Sequence, residues 1–529
     1  MNNILTIAKR EITRLRSRFR GGSRPVVALI LAGSFLIAYL AFRQGAVRGR
    51  GLYRVGVSPD SPPIQDSRFD TVAVARSRAD SMLEAKAIDA YIDGDRVIYR
   101  DEEKSLYAVK ALKLYLEVQE LARIEAEHEM DAAFPLRVGV NYFPPIDLTS
   151  DDEIVIPSLM SPPLPFAQVV TVSLYVLPVF FVSVFFTSGF INEKTDRRIT
   201  VLLSAPVTPF QIIVGKMLPY MGFALVCVVI MTLVLEGDLL LATAIFIPVI
   251  LFIFSIYLMV PLVYRTFKDT TFISMLATTV IMSYLVFPAM FSGINDLSYI
   301  SPLTLAIKMY SGQPFGPKEY LTSTAPMYLV FVLAMYVGSR ILNEEYLMKF
   351  RPLYRKAADA IYLAINRNHI HVSVTLLSLF LIPIVYMVQL VTLAVSLNLP
   401  IRYAIGVLLI MSVIIEEVAK SAGIAVLIEN KDVRTAKGVA ALSFLSALGF
   451  LVGEKLLLYV SVGIISESML SAAVFSAGKL WIPLVAHFTF TTIVCLLTHR
   501  FGVKRYPYAV LAASIVHVAY NLYVIGLIG

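Results

Sequence analysis

A group of ionisable side chains in the last third of the chain lies inside stretches that are otherwise apolar. Placing a charge at the centre of a bilayer costs at least about 2.5 kcal/mol, so such groups are expected to face one another and to serve a function. Carboxylates together with imidazoles can move protons or bind a metal ion. The residues are Glu416, Glu417, Lys420, Glu454, His487 and His517.

The spacing of these residues fits helices that present them on a single face. Glu416 and Lys420 are one helical turn apart, as are His517 and Asn521, and side chains at this spacing are neighbours on a helix. We therefore expect the rear helices to form one polar cluster. Within it, Lys420 would be a counter-ion that keeps one carboxylate charged in a low dielectric. Glu454 would be either a metal ligand or a residue that orients one.

The alternative for each histidine is a structural role. His487 or His517 taken alone could equally be a hydrogen-bonded packing residue, but its combination with the glutamate pair favours function. The remaining histidines lie in polar segments or at the ends of apolar runs, so we interpret them as surface residues: His128, His369, His371 and His499.

The composition is that of a membrane protein. Hydrophobic residues make up 57% of the 529 residues and charged residues only 16%, whereas soluble domains carry about 25% charged residues. The net charge of +8 comes from clusters beside apolar runs, which indicates membrane topology and not nucleic-acid binding. Cys227 and Cys495 lie inside apolar runs, so we expect neither a disulfide framework nor a cysteine metal site.

Apolar runs long enough to cross the roughly 30 Å hydrocarbon core occur in both parts of the chain. The front two-thirds contain residues 25–42, 166–190, 217–235, 239–264, 272–291 and 325–342. The last third contains residues 372–397, 403–428, 439–462, 481–497 and 508–527. The sequence therefore predicts an all-α polytopic membrane protein with about 11 transmembrane helices.

Basic residues in the connections predict the orientation, because cytoplasmic connections are enriched in Lys and Arg. If the N-terminus is cytoplasmic and the C-terminus extracytoplasmic, every basic connection falls on the cytoplasmic side. This agreement indicates a multi-pass protein of the cell membrane. The connections assigned to the cytoplasm contain Lys194, Arg197, Arg198, Lys216, Arg265, Lys268, Lys349, Arg351, Arg355, Lys356, Lys431, Arg434, Lys437, Arg500, Lys504 and Arg505.

Two segments of the front part are predicted to lie outside the bilayer core. Residues 1–24 form a basic amphipathic helix suited to the surface of an anionic lipid leaflet; a solvated leader that only sets topology is the alternative. Residues 43–163 are rich in charge and contain no spanning run, so we expect a small α/β extracytoplasmic domain between helices 1 and 2. Its alternating strand-like and helix-like segments are residues 52–57, 71–90, 96–99, 105–126 and 136–141.

The polar motifs of residues 372–529 resemble those of PrsW-like intramembrane proteases, relatives of the CAAX-processing membrane proteases. In order they are Glu416-Glu417-Val418-Ala419-Lys420, Gly449-Phe450 with Glu454, His487, and His517 with Asn521. The chain departs from the CAAX branch at Lys420, which comes one residue before that branch's Arg, and at Pro483, where that branch has Phe. The resemblance thus favours the PrsW branch, and CAAX processing is in doubt.

This resemblance implies an endopeptidase site. Peptide hydrolysis requires an activated water, a proton for the leaving amine and a stabiliser of the oxyanion. By resemblance, Glu416 or Glu417 with His487 would activate the water, while His517 and Asn521 would stabilise the oxyanion. Two histidines and a glutamate, Glu417, His487 and His517, could also hold Zn²⁺ with one position left for water. The sequence fits both a glutamate/histidine mechanism and a metal-dependent one.

The linker after the second apolar run resembles the cytoplasmic segment of type 2 ABC exporter permeases of the sodium-exporter-like kind. In that family this segment docks on a separate ATPase subunit, which would assign docking to Glu193, Lys194, Arg197, Arg198, Pro206, Gly215 and Lys216. An extracytoplasmic domain between the first two spans and Ile300-Ser301-Pro302-Leu303 before the sixth also match the family. The resemblance covers residues 1–356. The alternative interpretation of the linker is an ordinary basic cytoplasmic loop.

The resemblance also implies partners. The chain has no GxxxxGK[ST] phosphate-binding string, so ATP would be bound only by a partner ATPase subunit. A permease with six spans is half of an exporter in that family, which implies a homodimer or a heterodimer of permease halves. The predicted domains are residues 1–24, an exporter-type permease at 25–356, a cytoplasmic linker at 357–371 and a protease domain at 372–529.

Together the two resemblances predict an ABC exporter permease fused to an intramembrane protease that processes a peptide or membrane-protein substrate. One alternative is a non-enzymatic permease for ions, lipids or drugs whose rear bundle is an inactive scaffold. Another is a regulatory protease whose exporter-like front part senses stress. No residue identifies the transported molecule or the cleaved one.

Overall fold

The computed structural model describes residues 2–20, parts of 32–40, 53–59, 64–66, 68–93, 96–100, 103–127, 166–264, 266–292, 296–348, 351–396, 399–465 and 480–528. The chain divides into two compact units. One unit comprises residues 1–39, 172–289 and 296–529, and the other comprises residues 40–171 and 290–295.

Helices dominate the described residues. In the first part of the chain they are α1 Asn2–Arg20, α2 Arg76–Glu84, α3 Glu103–Glu127, α4 Phe166–Ser173, α5 Val176–Thr195, α6 Arg198–Leu203, α7 Pro209–Val234, α8 Leu239–Val263, α9 Phe267–Ala289, α10 Pro302–Tyr310, α11 Pro317–Ile341, α12 Glu344–Met348 and α13 Leu353–Ala364. The rear helices are α14 Ile370–Ser396, α15 Ile401–Glu429, α16 Ala436–Ile465, α17 Trp481–Phe501 and α18 Tyr506–Ile528.

Within the described residues, 9 helices are long and apolar enough to cross a membrane. This confirms the prediction of a helical polytopic membrane protein. Two predicted spans are not among the 9. Residues 25–42 lie mostly outside the described residues, and residues 403–428 do form a helix, α15, but it carries the charges of Glu416, Glu417 and Lys420 in its apolar part.

The smaller unit contains a four-stranded sheet with strand order β2-β1-β3-β4, formed by β1 Tyr53–Val57, β2 Phe69–Ala73, β3 Ala90–Asp93 and β4 Arg96–Tyr99. β1 pairs in parallel with β2 and β3, and β3 pairs antiparallel with β4. The predicted helix-like segment 71–90 includes the end of β2, all of α2 and the start of β3. The predicted segment 136–141 lies outside the described residues.

The front helices of the larger unit pack around α8, whose buried side chains include Phe252, Phe254 and Tyr257. α8 contacts α5, α7, α9 and α11. The first turn of α7 is fixed by a capping box in which Thr208 and Gln211 exchange hydrogen bonds with each other's backbone. The connection between α5 and α7 is therefore held at a defined place on the bundle.

The rear bundle is formed by α14, α15, α16, α17 and α18, with α14 against both α15 and α16. Gly449 and Gly453 of α16 form a small-xxx-small pattern that lets two helix backbones approach closely. A Cβ atom at Gly453 would lie 2.7 Å from Ile382 Cγ1 of α14. Ser446, near Gly449, hydrogen-bonds Ser378 of α14 at 2.7 Å. The close contact between α14 and α16 places Glu454, the residue after Gly453, beside the interior of the bundle.

Gly449→Ala is expected to destabilise the rear bundle by about 1–3 kcal/mol, because the new Cβ would overlap the carbonyl oxygen of Thr375 on α14. Gly406→Ala is the matched control, since a Cβ there meets no atom within 4 Å. The measurement is the fraction of purified protein that stays monodisperse after heating in detergent. Equal thermal stability of the two variants would contradict the close approach of α14 and α16.

Candidate functional site

Glu417 and Lys420 form the centre of the polar cluster. The Lys420 ammonium nitrogen lies 2.6 Å from Glu417 Oε1, and both residues are buried. His517 of α18 places its Nδ1 2.8 Å from the same carboxylate oxygen. The other oxygen, Glu417 Oε2, is buried and accepts no hydrogen bond from the described residues. Glu417 therefore connects α15 to α18.

His487 extends the cluster to α16. Its Nδ1 lies 3.0 Å from Lys420 Nζ, and its Nε2 lies 3.2 Å from Glu454 Oε2. Glu454 also pairs with its neighbour Lys455 at 2.7 Å. Polar contacts thus run without a gap from α16 through α17 and α15 to α18, so four rear helices contribute to one site.

Glu416 is the more accessible of the two adjacent glutamates. It is only half-buried, whereas Glu417 is 0% exposed. Its carboxylate accepts a hydrogen bond of 3.1 Å from the Gln389 amide of α14. Glu417 forms an ion pair with Lys420, and Glu454 forms one with Lys455. Among the described residues, Glu416 has no such ion pair. Glu416 is therefore the carboxylate best placed to meet water or a substrate.

Aromatic rings form the walls around the two histidines. Phe490 stacks on His517 with ring centroids 4.4 Å apart. Phe450 lies with its ring centroid 5.1 Å from the Lys420 ammonium and 5.6 Å from the centroid of His487. These contacts exclude water from the buried side and restrict the rotation of both imidazoles, which strengthens the electrostatic interactions within the cluster.

Hydroxyl groups hold the α15 backbone that carries the cluster. Ser446 of α16 donates a hydrogen bond of 2.6 Å to the Lys420 carbonyl oxygen. The Ser421 hydroxyl lies 2.9 Å from the Tyr506 hydroxyl at the start of α18. α15 is thereby fixed to two neighbouring helices at the turn where Lys420 lies.

The hydrogen bonds assign the proton positions on the two imidazoles. An ammonium group can only donate, so Lys420 donates to Nδ1 of His487, whose proton must then reside on Nε2 and point at Glu454. An ionised carboxylate can only accept, so His517 donates from Nδ1 to Glu417. Among the described residues, nothing engages the Nε2 of His517, so in the neutral ring its lone pair can accept a proton or bind a ligand.

The structure brings together most of the residues predicted from the sequence: Glu416, Glu417, Lys420, Glu454, His487 and His517. Asn521 lies one turn after His517 on α18, is partly exposed, and has no hydrogen bond to a described side chain. Two participants were not identified from the sequence. Gln389 is an isolated amide in an apolar run, and Lys455 directly follows Glu454; a search for polar residues within the spans would have found both.

The donor atoms of the cluster can be compared with those of known types of metal site. Glu416, His487 and His517 each offer one ligand atom, and these atoms lie within 4.8 Å of one another. Two imidazoles and one carboxylate are a ligand set of catalytic zinc sites, with the fourth position open. The set therefore fits zinc. In the set predicted from the sequence, Glu417 took the place of Glu416, but in the structure Lys420 and His517 already engage the Glu417 carboxylate.

Purified protein is expected to take up zinc when the ion is added, and His517→Ala is expected to lose this uptake, because the Nε2 of His517 would be one of the three ligands. His371→Ala is the control, since this histidine is exposed at the start of α14. Metal content by inductively coupled plasma mass spectrometry checks the prediction. Wild-type protein that takes up no zinc would contradict it.

The predicted ATPase-docking residues separate into two groups. Glu193, Lys194 and Lys216 are buried, and Gly215 packs against Ile7 of α1 so closely that a Cβ would lie 2.8 Å from the Ile7 Cβ. Lys216 lies 3.3 Å from Glu11 of α1 and also pairs with Glu193. Gly215 and Lys216 thus hold α1 against α7.

Lys194 stabilises the end of a neighbouring helix. Its ammonium group donates to the carbonyl oxygens of Pro261 at 2.7 Å and Tyr264 at 2.8 Å, at the C-terminus of α8. A cation at this position satisfies carbonyl groups that have no partner within the helix. The role of Lys194 in the described structure is therefore internal.

The remaining three docking residues, Arg197, Arg198 and Pro206, are exposed or partly exposed. They surround α6, whose Val201 is 71% exposed, and Phe210 next to them is 50% exposed. Arg197 adopts a left-handed backbone conformation with φ of 56°, which turns the chain sharply between α5 and α6. An exposed patch of two arginines and two apolar side chains is the part of this linker that a partner could contact.

Comparisons with protein-family models, with curated proteins and with solved structures give no match for this chain.

Proposed function

We propose that the chain is the permease half of an ABC exporter, powered by a separate ATPase, with an intramembrane endopeptidase in its rear bundle. It would cross the cell membrane about eleven times, with a cytoplasmic N-terminus, an extracytoplasmic C-terminus and the sheet-containing unit outside. One observation carries the enzymatic part. Costly ionisable groups from four helices meet in a single cluster, linked by contacts of 2.6 to 3.2 Å.

In this proposal Glu416 is the general base. It is half-buried and has only the Gln389 amide as a partner among the described residues, so it can accept a proton from a water that attacks the peptide carbonyl. After attack, the same carboxyl group gives the proton to the leaving amine. Glu417 acts as a positioning residue, because it fixes His517 and neutralises Lys420 and is closed to solvent.

The oxyanion would be stabilised from α18. Asn521 lies one turn from His517, and its amide is not engaged by the described side chains, so it can donate to the tetrahedral intermediate. His487 is held between Lys420 and Glu454 and carries its proton on Nε2, which keeps the ring neutral and fixed.

When zinc is bound, Glu416, His487 and His517 would hold it, and the ion would supply a water of lowered pKa. To bind through Nε2, His487 would have to carry its proton on Nδ1 and give up its present contacts with Lys420 and Glu454, whereas the Nε2 of His517 has no partner among the described residues. Glu454 would then remain close enough to orient the histidine.

A survey of peptide termini tests the enzymatic part for any peptide or membrane-protein substrate. Membranes from cells that produce wild-type protein, Glu416→Gln or Glu429→Gln are labelled at free amines and analysed by mass spectrometry. Glu429 is exposed at the end of α15 and serves as the matched control. We expect new termini with wild type and Glu429→Gln only. Identical termini in all three samples would favour the non-enzymatic permease.

The exporter part predicts a partner that binds ATP. Tagged chain is expected to recover a protein with a GxxxxGK[ST] string, and Arg197→Glu/Arg198→Glu is expected to reduce that recovery about tenfold or more, because charge reversal at an interface is strongly unfavourable. Arg355→Glu, also exposed and predicted to be cytoplasmic, is the control. Recovery that is unaffected by both changes would remove the docking assignment.

A further inference from the structure

A polar cavity lies where the front helices meet the rear helices. Its volume is about 440 Å³, and its lining includes Arg340, Tyr362, Asn366, Arg367 and Asn368. Arg340 belongs to the last turn of α11, whereas Arg367 precedes α14. The cavity therefore has one arginine from each half of the chain, and it lies at the level predicted for the cytoplasmic membrane surface.

The described residues form no ion pair with either arginine of the cavity. Each guanidinium lies near an aromatic ring, and Arg367 also interacts with the Tyr362 hydroxyl. Arg340 is 5.9 Å from the ring centroid of Tyr336, and Arg367 is 5.1 Å from that of Tyr362. These contacts hold the two groups in place, because guanidinium ions are attracted to aromatic faces. Two oriented cations without an anion make a binding site for one.

Asp432, the acidic side chain that interacts with Tyr362, does not fill that role. Burial, and then the neighbouring Asp432 carboxylate, raise the pKa of Tyr362, so the phenol stays protonated and donates to Asp432. Asp432 is exposed and flanked by Lys431. The charge balance around the cavity is therefore positive.

Hydrogen bonds fix the walls of the cavity. The Tyr336 hydroxyl of α11 donates to the Ala364 carbonyl oxygen at 2.8 Å. The Asn366 backbone N–H donates to the Ser373 hydroxyl of α14 at 3.1 Å, and the Asn368 N–H to Asn366 Oδ1. A ligand would thus meet a shaped turn that already exists.

We propose that this cavity binds a phosphate group, held by Arg340 and Arg367 together. Arginine binds phosphate through paired N–H donors, and the side-chain amides of Asn366 and Asn368 can donate to the remaining oxygens. The phosphate belongs either to an anionic lipid headgroup or to a soluble phosphate compound. In both cases the bound group bridges the last front helix and the first rear helix.

The test uses the full chain in nanodiscs of phosphatidylcholine with a minor fraction of phosphatidylglycerol. Native mass spectrometry measures the phosphatidylglycerol that stays bound. Arg340→Gln/Arg367→Gln is expected to bind it about 30-fold more weakly, since each basic group near an anionic surface contributes a factor of about five. Each single variant is expected to lose about fivefold. Arg355→Gln, an exposed arginine of α13, is expected to bind as wild type does.

A second arm separates the two sources of phosphate. Inorganic phosphate is titrated calorimetrically into the same proteins in a neutral detergent. Saturable binding that the double variant loses, without selective retention of phosphatidylglycerol, supports the site and assigns it to a soluble phosphate compound. Retention of the lipid that is equal in wild type, double variant and Arg355→Gln, together with no phosphate binding, overturns the proposal. Because both arginines are exposed, elution of each variant as a monodisperse peak checks that folding is unaffected.

Discussion

Lys420→Met is expected to destabilise the rear bundle by about 3–5 kcal/mol, because it removes one member of a buried ion pair and leaves the other charge uncompensated. Lys420 and Glu417 have side chains that are 0% exposed. The ammonium also donates to His487, so the substitution removes two buried contacts at once. The free energy of unfolding, measured by titration of detergent-solubilised protein with a denaturing detergent, checks this value.

Two further variants separate charge from packing. Lys420→Met/Glu417→Gln removes both charges, and we expect it to be more stable than Lys420→Met alone, since the uncompensated carboxylate is gone. Lys455→Met is the matched control. Its pair with Glu454 is partly exposed, so its loss is expected to cost less than about 1 kcal/mol. If Lys420→Met and Lys455→Met were equally stable, Lys420 would not be the buried counter-ion described above.

Glu416→Gln is expected to lower the rate of peptide cleavage by about 10²–10⁴, the usual contribution of a general acid–base group. The amide cannot accept the proton of the attacking water. It can still pair with Gln389, so the fold is expected to remain stable. The measurement is the cleavage rate of a peptide identified from the new termini, at saturating concentration.

The two adjacent glutamates should respond differently. Glu417→Gln is expected to lose activity together with stability, because Lys420 and His517 both depend on that carboxylate. Glu416→Gln should lose activity alone. Full activity of Glu416→Gln would remove Glu416 from the role of base and would leave Glu454 as the accessible carboxylate of the cluster.

The sequence predicted the elements of the rear bundle and the members of the cluster well, for a physical reason. Ionisable residues are so costly within a bilayer that their occurrence alone marks them as partners. The sequence could not rank Glu416 against Glu417, because adjacent residues on a helix point in directions about 100° apart and only the packing of α14, α17 and α18 decides which one is exposed.

The linker between α5 and α7 is a part of the chain whose packing the sequence did not predict. The resemblance to exporter permeases assigned five charged residues of this linker to one docking surface, yet three of them, Glu193, Lys194 and Lys216, are buried against α1 and α8. Sequence alone could not show this, since 205 positions separate Glu11 of α1 from its partner Lys216. In the smaller unit, the end of β2 and the first residue of β3 fall inside the helix-like segment 71–90, and only pairing with β1 reveals them.

An experimental density map of the rear bundle at side-chain detail would show whether the polar groups share one site. We predict that the imidazoles of His487 and His517 both point at the Glu417–Lys420 pair, with Glu454 on the far nitrogen of His487 and Glu416 at the accessible edge. Carboxylates and imidazoles directed at separate neighbours, with no common site between them, would contradict an intramembrane active site in this bundle.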